Sequence, residues 1–534
     1  MNAIIALAIV GPLAASGVGL LVRERHHLRD AITLMGLSAT ALAAIALLID
    51  VQRNGTTVVR VGGWDPELGI VLVADQFAAL ILVVATLTIL VVDIFAIGQR
   101  GTASTGDQTV VGPMLLVLTA GVSLAILTGD LFTLFVAFEL ILVSSYVLLT
   151  HQGRAAQLRS GMTYVVINLL ASTLFLLGLA YVYTATRTVN IALLAERIPE
   201  LDNGVRLGIG LWFLVVFGTK AAMFPLFSWL PDSYPTAPTT VTAVFAGLLT
   251  KIGVYVMIRF HTLTGMDDLG PVILVAAGLT MLVGVAGALA QNDVKRILSF
   301  HVVSQIGYML MGLGLFSVAG VAGAVLFLVH QIPVKTVMFL VGGLIEDDQG
   351  NSSLDKVGGL AARRPIIAVL FAIPALSLAG IPPFSGFVAK LSLIDAGINA
   401  GSVAIVVVAL VASMFTLLSM SKIWLGVFWR EPTPPSEPAS SKASKRMMNG
   451  ATMAAVAGTL AVVALAGPLW NMSEEIARDL CADSVQAVVA SACPAVAVTK
   501  EAGYGIGAAR GERSPEDIGD HRERIVGKPA QGNH

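Results

Sequence analysis

The chain has 534 residues, of which 56% are hydrophobic and only 13% charged, about half the charged fraction of an ordinary soluble domain. That balance excludes the row of water-soluble domains that length alone would suggest. The net charge of −1 singles out no class of partner, and nucleic acid is not expected among them. Cys481 and Cys493 are the whole cysteine complement, too few for an iron–sulfur cluster or a thiolate zinc site built by this chain alone. Neither a P-loop nor a GxGxxG turn is present, so no nucleotide site, cofactor or metal is expected.

Apolar runs of roughly 20 residues, each long enough to cross a bilayer core, recur along most of the chain. Fourteen candidate spans fall at about 2–22, 31–50, 71–97, 111–128, 131–149, 162–185, 207–230, 239–260, 270–290, 298–317, 320–345, 365–396, 402–428 and 449–469. Segments this apolar must satisfy their backbone internally, which predicts an all-α polytopic membrane protein. The first run has no Lys or Arg before it and reads as a retained helix, not a signal peptide. Segment 431–447, rich in Pro, Ser and Lys, reads as a linker before the last helix. Residues 470–534 form a polar tail, with an amphipathic helix predicted over 473–491 and disorder from about 502.

Loop charge predicts the orientation. With the N-terminus outside, the short inner loops hold fifteen cations, from Arg23, Arg25 and Arg29 through Lys295 to Arg446, against five in the outer loops. The positive-inside rule then places both termini outside.

Few ions remain within the spans, and these are informative, because a charge at mid-bilayer costs at least ~2.5–3.5 kcal/mol. In chain order they are Glu139, Lys220, Lys251, His330, Lys335 and Lys390. Arg259 and Lys422, near span ends, read as snorkelling or ion-paired side chains. Asp93, about one turn from the inner end of its span, is open between that reading and a functional one. His261 and the pair His26–His27 read as solvated. Prolines stand close to the buried ions: Pro225 follows Lys220, Pro333 follows His330, and Pro382–Pro383 precede Lys390. Each withholds a backbone donor, so three helices are predicted to break or kink beside an ionisable group, an arrangement tolerated where the helix lines a cavity or packs in protein. In the tenth span His301, Ser304, Gln305 and Tyr308 share one face, which either holds water or ties helices together.

Lysines dominate this set, which argues against a metal site. Burial disfavours the charged form of a lysine and a nearby carboxylate restores it, so lysines and a glutamate on separate central helices fit a proton relay.

At these same residues the chain resembles the antiporter-type membrane subunits shared by respiratory complex I and the multisubunit Mrp cation/proton antiporters. The matching stretches are 138–146 (FELILVSSY), 217–230 (FGTKAAMFPLFSWL), 231–254, 291–308 (QNDVKRILSFHVVSQIGY), 330–335 (HQIPVK) and 382–390 (PPFSGFVAK). The resemblance implies two inverted five-helix repeats, 111–261 and 270–430, after N-terminal helices in 1–110 and before a linker 431–448, a last helix 449–469 and the tail 470–534. It also implies that Glu139 and Lys220 form the family's Glu–Lys pair, that Lys251 is its central lysine, that His330 and Lys335 lie on a broken eleventh helix, and that Lys390 ends the outward half-channel. Within the family the chain is most similar to the D-type component of the Mrp complex. The implied function is proton translocation in a bacterial inner-membrane complex exchanging protons for Na⁺, with the other subunits, protons, Na⁺ and membrane lipid as partners. The alternatives are a proton-pumping subunit of complex I or of a membrane-bound hydrogenase, and a passive scaffold in which the charges only lock helices together.

Overall fold

The computed structural model describes residues 2–22, 24–67, 69–99, 109–431 and 441–481. The chain opens with α1 (Asn2–Leu21) and α2 (His26–Asn54), then an antiparallel hairpin of β1 (Thr57–Arg60) and β2 (Val71–Ala74). Next come α3 (Gln76–Gln99), α4 (Val111–Leu127), α5 (Leu131–Thr150), α6 (Ala155–Thr186), the short α7 (Ile191–Arg197) and α8 (Asn203–Ala221). Then α9 (Trp229–Ser233) leads to α10 (Thr239–Val244), which continues through a π-helical turn, Phe245–Leu249, into α11 (Thr250–Leu263). The rest is α12 (Gly270–Ala290), α13 (Val294–Gly314), α14 (Val318–Gln349), α15 (Leu360–Arg363), α16 (Pro365–Ala379), α17 (Ser385–Asn399), α18 (Val403–Ile423), α19 (Lys442–Ala464) and α20 (Ala466–Cys481).

Twelve helical stretches among the described residues are long and apolar enough to cross a membrane, and α4 and α16 are shorter apolar helices. All lie on the segments that hydropathy marks. The hairpin was not legible in the sequence. It defines one face of the bundle, where an isolated bridge pairs Leu72 with Thr128 at the end of α4 and another pairs Asp130 with Asn190. On the opposite face Asp293 pairs with Ser353. Polar residues at these turns start the next helix: Asp130 Oδ1 accepts from Thr133 N at 2.6 Å, Asp293 from Arg296 N at 2.9 Å and Ser317 Oγ from Gly320 N at 3.1 Å, each satisfying a donor that has no partner within its helix.

Burial sorts the helices. The spans built on α10–α11 and α14 are wholly enclosed, whereas α1, α6 and α19 turn large apolar side chains outward, as suits contact with lipid. Two expectations for the C-terminal region change. Helix α19 begins at Lys442, inside the expected linker, and α20 begins at Ala466. Ser473, Ile476, Ala477 and Leu480 form the buried stripe of α20, and its Glu475 accepts from Gln76 on α3 at 3.0 Å. The rest of the predicted amphipathic helix and Cys493 lie outside the described residues.

The prolines act at two of the three predicted places. Helix α8 stops at Ala221, where Ala222 takes a left-handed conformation (φ 61°) that costs a residue with a Cβ about 1–2 kcal/mol. Helix α16 stops at Ala379, and Gly380 is likewise left-handed. Pro333, by contrast, lies inside α14, which runs unbroken through His330 and Lys335. The broken eleventh helix is therefore not seen; a proline removes one backbone donor, and a 32-residue helix whose apolar span is enclosed by its neighbours keeps its remaining ladder. The interruption unforeseen in the sequence is the π turn before Lys251, a local form that no proline announces.

The two half-helices α16 and α17 meet at Gly386, where an added Cβ would stand 1.7 Å from the Ser377 carbonyl oxygen. Gly386→Ala is expected to destabilise the fold by at least about 1–3 kcal/mol, measured as a lower unfolding midpoint of the detergent-purified protein; an unchanged midpoint would show that this contact is loose.

Candidate functional site

Helices α8, α11, α14 and α17 pack one beside the next, and each carries one of the predicted lysines. An added Cβ on Gly253 of α11 would lie 2.7 Å from the backbone N of Ala221, so only glycine lets α11 approach Lys220 this closely. Gly247, one turn before Lys251, abuts Thr336 of α14 in the same way. Lys335 lies within electrostatic reach of both Lys251 and Lys390. The four lysines are each at most 7% exposed. They form one buried row across the middle of the molecule.

Each member is held differently. Lys220 ends α8, and its Nζ donates to the Asn168 carbonyl at 3.3 Å and to Ser172 Oγ at 3.2 Å, both on α6. The amine stands 5.6 Å from the Phe138 ring centre. A cavity of about 20 Å³, lined by Tyr164, Asn168, Lys220 and Trp229 among others, has room for one water beside it. Lys251 donates to the Ala246 carbonyl within the π turn. Lys335 Nζ is wholly buried and has no hydrogen-bond partner among the described residues. Lys390 donates to the carbonyls of Leu378 (2.9 Å) and Ala379 (3.3 Å) and to Ser413 Oγ (2.9 Å). It thus caps the carbonyl end of α16, the end a cation favours.

His330, one turn before Lys335, is fully buried. Its Nδ1 is 2.8 Å from Ser385 Oγ, which is 3.1 Å from Ser377 Oγ, so the histidine meets α17 directly and α16 through the Ser385 hydroxyl. The polar face of α13 divides between the two readings left open. Ser304 donates to the Met281 carbonyl, Tyr308 to the Ala409 carbonyl, and His301 Nε2 meets Ser419 Oγ; these tie helices together. Gln305 turns instead toward Gln331 of α14, at 3.4 Å.

Glu139 departs from expectation. It is half-buried, not deeply buried, and no ion pair joins it to Lys220. One carboxylate oxygen is enclosed without a hydrogen-bond partner among the described residues. The carboxylate sits on the face of α5 that carries the exposed side chains Phe132, Val136, Val143 and Tyr146, since these follow a helical three-and-four spacing. Asp93 is a fully buried acid whose two oxygens have no hydrogen-bond partner among the described residues and whose charged neighbour is Arg29. Arg29, assigned to a loop, is itself buried, and so is His261, expected in solvent, between the Met257 and Gly210 carbonyls. Both stand near helix ends, where hydropathy does not separate loop from core. Arg259 is ion-paired with Asp75, and Lys422 donates to the Leu289 and Gln291 carbonyls, as their positions near span ends suggest; His26 and His27 are exposed. The acceptors Asn168, Ser172 and Ser413 escaped the sequence reading because hydroxyls and carbonyls inside apolar spans carry no signal of their own.

Residues 128–416 match the family described as NADH:quinone oxidoreductase/Mrp antiporter, transmembrane. The chain belongs to this family. Within it, the chain is 41% identical over 484 residues to the D-type Na(+)/H(+) antiporter subunit of Alkalihalophilus pseudofirmus, covering 90% of this chain and 97% of that one. It is 35% identical over 448 residues to the subunit of the same name in Bacillus subtilis, covering 82% and 89%. Among solved structures it is similar to a chain of the Mrp complex from a Dietzia species, with TM-score 0.84, 35% identity, and 92% and 100% of the two chains covered. A chain of Thermus thermophilus respiratory complex I shares the fold at 21% identity, with TM-score 0.77 and 89% and 99% covered.

If Lys390 cycles a proton, a guanidinium in its place cannot, because it does not release its proton in the working pH range. Lys390→Arg and Lys390→Ala in the assembled complex are both expected to reduce cation-driven proton exchange in everted vesicles to the background of vesicles without the complex. Normal exchange in the arginine variant would show that this amine never gives up its proton.

Proposed function

We propose that this chain is the D-type, proton-translocating subunit of a multisubunit Na⁺/proton antiporter, embedded in a bacterial inner membrane with the hairpin face and both termini outside. The observation that carries this reading is the row of lysines, each on a different helix and packed between neighbours, with interrupted backbone beside Lys220, Lys251 and Lys390. No group in the row is placed for bond-making chemistry, so the work is translocation and the chain is a transporter subunit. Relatives named as D-type antiporter subunits, matched across nearly their whole length, support the same reading. The excess of positive charge on the loops opposite the hairpin supports the orientation.

The path runs from Lys220 to Lys251, Lys335 and Lys390, with His330, on the same helix as Lys335 and bonded to Ser385 of α17, beside its second half. Residues 111–261 and 270–430 are two inverted units. Each holds one span interrupted at a left-handed residue, Ala222 in the first and Gly380 in the second, and each interruption carries a lysine at its edge.

Glu139 couples the row to a neighbouring subunit. Its place on the exposed apolar face of α5 puts a carboxylate where a partner's charge can act on it, while Lys220 lies within its electrostatic reach. The amine resting on Asn168 and Ser172 is one state of a switch; the other is the amine drawn toward Glu139. Glu139→Gln and Lys220→Ala should each reduce exchange to background. The double variant leaves no lone buried charge and should restore assembly but not exchange. In a purely structural pair, removing both partners is nearly neutral, so substantial exchange by the assembled double variant would refute the switch.

A further inference from the structure

On α11 a second set of polar side chains leads from the row toward the hairpin face. Lys251, Tyr255 and Arg259 follow i, i+4, i+8 spacing and therefore lie on one face of the helix. They are 1%, 1% and 6% exposed. From mid-depth outward this is the direction in which a proton on Lys251 would leave.

The far end of that direction is closed. The Tyr255 hydroxyl donates to the Ile126 carbonyl in the last turn of α4, at 2.7 Å, and its ring packs 4.5 Å from Phe77 of α3. Arg259 donates through one nitrogen to the Tyr255 oxygen and through another to the Asp75 carboxylate, and its guanidinium lies 5.6 Å from the Tyr255 ring centre. Asp75 is itself fixed, accepting from Ala78 N at 2.8 Å. Tyr255 and Asp75 thus fix one guanidinium between α11 and the start of α3. An arginine neither releases its proton nor offers an acceptor, and a fixed cation in a narrow, poorly hydrated passage repels a second positive charge. The turns between Lys390 and the hairpin-face end of α17, residues 391–399, carry no Lys or Arg at all.

We propose that Arg259, held by Asp75 and Tyr255, is a fixed positive plug that closes the hairpin-face exit above Lys251, so that a proton arriving there continues to Lys335 and Lys390. The inference rests on the proton-path reading above. Without the plug, the first half of the row becomes a leak that lets protons cross without exchange.

The test uses the whole complex reconstituted in Na⁺-free proteoliposomes, with a potassium diffusion potential driving proton entry and an enclosed pH dye reporting it. Asp75→Asn/Arg259→Gln removes both charges together and should raise passive proton entry several-fold over wild type. Arg259→Lys and Asp75→Asn keep a cation in place and should stay as tight as wild type. Adding Lys251→Ala to the leaky double variant should close it again. A double variant as tight as wild type, a leak in Asp75→Asn alone, or a leak that survives Lys251→Ala would each overturn the plug. Where the double variant does not assemble, Arg259→Gln alone is set against Arg259→Lys: a leak in the glutamine variant that the lysine variant lacks supports a charge barrier, and equal tightness sinks it. Sodium-driven exchange by the wild-type complex is read separately: its absence fails the parent reading, whereas the leak series fails only this one.

Discussion

An ammonium group taken out of water must find oxygen acceptors within hydrogen-bond reach, or its burial costs several kcal/mol. Inside a membrane the backbone normally has none to offer, because a regular helix uses its carbonyls in its own ladder. Much of this structure follows from how that conflict is resolved. Lys390 takes the carbonyls that α16 leaves open where it stops, at Leu378 and Ala379. Lys251 takes the Ala246 carbonyl in a π turn. Lys220, on the last turn before the left-handed Ala222, reaches across to α6 for a carbonyl and a hydroxyl. Interruption of the helices and burial of the lysines are thus two sides of one arrangement, and the glycines at 253 and 386 let the broken pieces close around it.

Lys335 is the exception in the row. It is enclosed, has no hydrogen-bond partner among the described residues, and has a lysine within electrostatic reach on either side. Its helix is unbroken at Pro333, so no loose end supplies a carbonyl.

The sequence announced the expensive features and hid the inexpensive ones. Four lysines in apolar spans stand out because each is costly in hydrocarbon, and Pro225 and Pro382–Pro383 mark two of the interruptions because a proline cannot donate. The π turn before Lys251 leaves no such mark, and Pro333 marks a break that does not form. Serines at 172, 385 and 413, which bond Lys220, His330 and Lys390, look like any small residue of a membrane helix. Depth was the other blind spot. Glu139 was expected in the interior but lies on the outer face of α5, while Asp93, Arg29 and His261 lie deeper than their positions near helix ends suggest, because hydropathy locates a residue along a span and not around it.

If the row is a proton path, the amine of Lys335 carries protons between its two halves. Lys335→Met removes the amine while keeping much of its volume, and since Nζ makes no hydrogen bond among the described residues, no partner is orphaned and the complex should assemble. Sodium-driven proton movement in everted vesicles, normalised to assembled complex, is the direct measurement: the background of vesicles lacking the complex is expected, and exchange at the wild-type rate would show that this amine carries no protons.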